Sequence, residues 1–108
     1  MQDAQLKAFI IEQLEDMKAK EIVTIDVADV SDVTDTLIIC TGNSKRHVRS
    51  IAEQTALAAK NAGEVPLGVE GLEGSEWVLI DLSNIVVHVM QSETREFYQL
   101  EKLWTETA

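Results

Sequence analysis

The chain has 108 residues, 45% of them hydrophobic and 26% charged, with a formal net charge of −10; this is the balance of one globular domain, 1–108, around one hydrophobic core. No apolar run reaches the roughly 20 residues of a membrane-spanning helix, and the acidity opposes phosphate backbones, which disfavours nucleic acid as the main ligand. The lone cysteine, Cys40, excludes an intrachain disulfide and a cysteine-based zinc site.

The first stretch, MQDAQLKAFIIEQLED, carries acids where a leader peptide would carry bases, so the expected compartment is a reducing cytoplasm. Leu6, Phe9, Ile10, Leu14 and Met17 recur on one face and predict a helix over 4–18, with Lys18 and Lys20 suited to its C-terminus. EIVTIDV, 21–27, alternates β-branched residues and reads as a strand. Asp29, Asp32 and Asp35 punctuate a loop, and TLIICTG, 36–42, is a short apolar run suited to a strand buried on both faces. Asn43 or Ser44 caps a helix from Lys45 whose inner side is Val48, Ile51, Ala52, Thr55, Ala59 and Ala62. Gly63 stops it. A loop with the only proline and glycines at 68, 71 and 74 follows, with room for a short strand near 65–70.

EWVLIDLSNIVVHVM, 76–90, folds as a hairpin at Ser83-Asn84. One face is then aliphatic: Val78, Ile80, Leu82, Ile85, Val87 and Val89. The other holds Trp77, Leu79, Asp81, Val86, His88 and Met90, with Trp77 opposite Met90 and Leu79 opposite His88. The aliphatic face should receive the helices, since it has no polar group to satisfy. On the second face, either a partner or a terminal helix covers the Trp and Met side chains, each worth roughly 1.5–3 kcal/mol when buried. His88 and Asp81 could pair for acid–base work, but no nucleophile stands at a suitable spacing, which favours a structural or interface histidine. Ser92 caps a last helix carrying Phe97, Leu100, Leu103 and Trp104, of which Phe97, Leu100 and Trp104 form one stripe, mostly core, with Tyr98 on its flank.

Lys45, Arg46 and Arg49 form a basic island at the start of the 45–62 helix. Cations there oppose the helix dipole by roughly 0.3–1 kcal/mol each. Their offset is either the Asp29, Asp32 and Asp35 loop or an external anion held near Gly42 and Ser44. His47 and His88 lack ligand spacing, so no metal site is expected. The glycines of GVEGLEG match neither the dinucleotide fingerprint nor a P-loop, and no cofactor is expected.

The element order is therefore α-β-β-α-β-β-α, an α/β (α+β) chain with a mixed sheet and helices mainly on one face. DTLIICTGNSKRHVRSIAE, the PLGVEG loop, EWVLIDLSNIVVHVM and REFYQLEKLW together resemble the ribosomal silencing factor (Iojap-like) family over nearly the whole chain. That resemblance implies a nucleotidyltransferase-like fold without the catalytic motif. It also implies a cytoplasmic, non-enzymatic repressor of translation under nutrient limitation. Such a protein binds the large ribosomal subunit through a large-subunit protein of the uL14 family at the intersubunit face, and sterically blocks subunit association. The implied partner-binding residues are Trp77, Leu79, Asp81, His88, Met90 and Tyr98, with Lys45, Arg46 and Arg49 as a minor contact to ribosomal RNA. Neither DNA nor membrane is an expected partner, and the free protein is expected as a monomer or weak homodimer.

Two rival readings remain at this level. A residual nucleotide-binding protein would use Gly42, Ser44 and Lys45, against which stands the absence of any Asp-x-Asp in the sequence. A homodimeric adaptor would pair its hairpin face with itself.

Overall fold

The computed structural model describes residues 1–105, with side chains through 103; the side chain of Trp104, assigned above to the apolar stripe, lies outside the described residues. The elements are α1 (Asp3–Asp16), β1 (Lys20–Asp26), β2 (Thr36–Gly42), α2 (Lys45–Asn61), β3 (Gly68–Glu70), β4 (Trp77–Asp81), β5 (Ile85–Gln91), α3 (Ser92–Tyr98) and α4 (Leu100–Thr105). The sheet runs β1-β2-β5-β4-β3. Only β2 and β5 are parallel; the other three neighbours pair antiparallel. This is the mixed sheet expected from the sequence, with the short strand before the hairpin present as β3.

The hairpin register is the one its two-residue turn dictates: Trp77 pairs with Met90, Leu79 with His88 and Asp81 with Val86. Side chains alternate faces along a strand, so this register sorts the sheet into two apolar clusters. On the first face, Leu6, Ile10 and Leu14 of α1 and Val48, Ile51, Ala52 and Ala59 of α2 pack against Ile38, Cys40, Val78, Ile80, Val87 and Val89. The small alanines let α2 lie close to the strands. Ser44 accepts the His47 N–H at 3.1 Å and starts α2; Gly63, at φ 91, turns the chain away at its end.

The second face has its own cluster of Ile25, Val27, Leu37, Ile39, Val86 and Met90, with Val23, Trp77, Leu79 and Leu100 packed at its margin. It arises because β2 lies beside β5 and brings β1 with it. Residues far away in sequence thereby cover the strand that carries His88 and Met90.

Three expectations are corrected. The first helix ends at Asp16, Lys18 sits in the following turn at φ 62, and Lys20 already belongs to β1. The last helix is not continuous: Gln99 adopts a left-handed conformation, φ 47 and ψ 53, and separates α3 from α4. Among the described side chains of these two helices, Leu100 packs on the second cluster, while Phe97 of the expected core stripe remains 79% exposed and Leu103 58% exposed. Finally, the Asp29, Asp32 and Asp35 loop does not offset the basic island. The loop precedes β2 and the island follows it, so seven extended residues hold them roughly 20 Å apart.

Candidate functional site

The second face ends in a row of aromatic rings. Trp77, half-buried at the start of β4, directs its indole N–H to His88 Nδ1 at 2.9 Å. Its ring lies 4.9 Å from that of Tyr98, and Phe97 meets Tyr98 edge-on at 5.0 Å. These are ordinary favourable geometries for aromatic pairs. Tyr98 is 53% exposed, so the row runs from a seated indole outward to two open rings. α3 supplies the outer pair because Ser92 follows β5 directly and starts the helix beside Trp77's strand.

His88 is buried, with only 7% of its surface exposed. Burial pushes its imidazole down to about 4. The Trp77 N–H acts in the same direction, because it requires an unprotonated acceptor at Nδ1. This is a structural histidine that seats the indole. Met90 has no exposed surface and belongs to the interior of the second cluster. Leu79 is half-buried at the cluster's margin. Asp81 accepts the Ser83 N–H at 2.9 Å, so its carboxylate fastens the hairpin turn. Of the six residues singled out on the sequence, Trp77, Leu79 and Tyr98 therefore reach the surface as a patch, and His88 and Met90 support it from below.

The basic island finds its counter-charges locally. Lys45 lies 3.7 Å from Glu76, the residue before Trp77, and Arg49 pairs with Glu53 at 3.3 Å one turn along α2. The Lys45–Glu76 contact brings the island to the edge of the aromatic row, a neighbourhood the sequence does not announce. Both ion pairs are solvent-exposed and contribute little to stability. His47 accepts the Asn43 N–H at Nδ1 and donates from Nε2 to the Met17 carbonyl, each at 2.8 Å, tying α2 to the end of α1. It is thus occupied structurally.

Arg95, a charged side chain in the middle of α3, is buried. Its Nε donates to Glu101 at 2.6 Å, and its Nη1 donates to the Glu21 carbonyl at 2.7 Å and the Thr41 hydroxyl at 2.8 Å. A cleft of about 430 Å³ opens beside it, with Glu21, Glu96, Glu101 and Lys102 on its walls. Among the described residues, no group of three His, Cys, Asp or Glu is placed to hold a metal. Burial pushes the Cys40 thiol up to about 12, against an opposing pull from Arg95, which makes it a poor nucleophile. The arrangement is suited to docking: open aromatic rings over a paired sheet, with Glu76 and Lys45 at their edge.

The chain is similar to proteins of one family along nearly its whole length. The family model described as "Ribosomal silencing factor during starvation" matches residues 2–108. The ribosomal silencing factor of Haemophilus influenzae is 43% identical over 99 residues, covering 92% of this chain and 97% of that protein. A crystal structure of a Chromobacterium violaceum protein superposes with a TM-score of 0.94 at 38% identity, covering 96% of this chain and 87% of the other. A more distant mouse relative, named "Mitochondrial assembly of ribosomal large subunit protein 1", is 31% identical over 99 residues, covering 89% of this chain and 43% of that protein.

Proposed function

The chain belongs to the ribosomal silencing factor family, and from that premise we propose that it docks through its aromatic row on the large ribosomal subunit. The contact is a large-subunit protein of the uL14 family at the intersubunit face. Occupying that face keeps the small subunit from joining and so represses translation in the cytoplasm, without catalysis. The observation that carries this reading is the open row Trp77–Tyr98–Phe97 on a chain of net charge −10. Aromatic side chains are the favoured anchors of protein interfaces, and an acidic chain is steered toward a basic ribosomal protein. The name of the mouse relative, which specifies the large subunit, supports the choice of subunit.

Trp77, Leu79 and Tyr98, joined by Phe97, make the contact. His88, Met90 and Asp81 hold the strands that present it. Lys45, Arg46 and Arg49, at the rim, meet ribosomal RNA, where a few cations let an otherwise acidic chain approach phosphates in one orientation. The free protein is a monomer or a weak homodimer.

The test is co-sedimentation with separated large and small subunits, using wild type, Tyr98→Ala and Phe97→Ala. Both rings are more than half exposed, so neither substitution empties the core. Pelleting with large subunits alone, lost in the Tyr98 variant, is the expected result. Pelleting with neither subunit, or undiminished pelleting of both variants, would sink the proposal.

A further inference from the structure

We infer that Arg95 is the positioning residue of the docking surface: its guanidinium fixes α3 in the orientation that lays Tyr98 on Trp77. The inference rests on the reading that the aromatic row docks the chain. α3 has seven residues, and a helix that short has almost no stability of its own. Packing does not supply the deficit in the usual way, because the only buried residue of α3 is Arg95. Phe97 and Tyr98, its large apolar side chains, are more than half exposed, and Tyr98 meets the sheet through the Trp77 ring. Besides that ring contact, what ties α3 to the sheet is a polar side chain.

The guanidinium reaches three elements at once. Nη1 bonds the Glu21 carbonyl on β1 and the Thr41 hydroxyl on β2, and Nε bonds Glu101 on α4. Donors in fixed directions on a planar group set an orientation as well as a distance, which a lysine ammonium on a flexible stem does not do. Arg95 and Tyr98 are three residues apart, hence neighbours on one helix face. Holding the first fixes the rotation of the second. The Gln99 N–H, bonded to the Arg95 carbonyl at 2.9 Å, closes the helix directly after Tyr98. Glu101 then secures α4 to the same guanidinium across the left-handed break. An aliphatic residue in place of Arg95 would keep the volume and lose the direction.

Two measurements test this. In the free protein, proton NMR reads the Trp77–Tyr98 ring contact, expected to disappear in Arg95→Met while core methyl shifts of Ile38 and Val87 stay in place. In large-subunit binding, a double-variant cycle compares Arg95→Met, Tyr98→Ala and the pair. Arg95→Met is expected to weaken binding at least about tenfold, the size of a lost anchor. With Tyr98 already removed, the same change is expected to do little more, because residues acting as one unit are not additive. Arg95→Lys, which keeps the charge, is expected to fail to restore the ring contact; should Arg95→Met not fold, this variant and its ring contact decide. Survival of the contact in Arg95→Met or Arg95→Lys overturns the inference, as do losses that multiply independently in the cycle. If wild type binds no large subunit, the docking proposal falls while the ring contact still decides the role of Arg95.

Discussion

His88 makes the fold sensitive to mild acid, by an amount the structure sets. Folded, its imidazole is held down to about 4 by burial; unfolded, it titrates at its ordinary value of 6.5. At neutral pH both states are uncharged there, and the stabilising seat for Trp77 is complete. As pH falls through 6.5 the unfolded chain takes up a proton that the folded chain refuses, so stability is lost until about pH 4 and then levels off. The separation of the two values corresponds to about 3 kcal/mol, a large share of the about 5–15 kcal/mol that holds a small domain together. The chain's 19 carboxylates titrate in an overlapping range, so the effect must be read as a difference. In His88→Asn the amide oxygen takes the place of Nδ1 as acceptor for the Trp77 N–H without the ability to titrate. Urea unfolding followed by far-ultraviolet circular dichroism gives the stability of both proteins at about pH 7.5 and about pH 4. The advantage of wild type over the variant is expected to shrink by about 3 kcal/mol between the two. An advantage that stays constant refutes the argument, and with it the picture of a buried neutral imidazole under the indole.

Other perturbations probe the surroundings of the same face and the core behind it. Gly71, at φ 92, leaves no room for a Cβ, which would run into the Trp77 carbonyl oxygen; Gly71→Ala should cost about 2–4 kcal/mol and shift Trp77 fluorescence, and an unchanged spectrum and Tm would contradict it. The Thr55 hydroxyl is buried in α2 with no hydrogen-bond partner among the described residues. Thr55→Val should therefore raise stability by about 1 kcal/mol, visible as a higher Tm, whereas a lower Tm would mean that the hydroxyl is satisfied. Cys40, with its thiol pushed up to about 12 and no exposed surface, should resist a disulfide reagent in the folded protein and react only as fast as the chain opens; rapid labelling at neutral pH would place it nearer solvent.

The sequence by itself determined what is local. The alternation of 77–81 and 85–91 about a two-residue turn fixed the hairpin register, because a shift of one residue would turn every aliphatic side chain to the wrong face. The stripe Val48, Ile51, Ala52, Thr55 and Ala59 fixed the buried side of α2, because helical spacing leaves it no other. It also showed that Trp77, Leu79, His88 and Met90 share a face. Which of them meets solvent was decided only by the tertiary structure. β1 and β2, separated from the hairpin by α2 and a long loop, bring Ile25, Val27, Leu37 and Ile39 beside it and close over Met90, leaving Trp77 at the margin. The same holds for the outer rings. The spacing of Phe97, Leu100 and Trp104 reads as one helix stripe, but a left-handed Gln99 breaks it, and Arg95 makes its bonds to residues 6, 54 and 74 positions away. A local pattern records the energy of neighbours along the chain. The docking row depends on contacts that exist only once distant strands have paired.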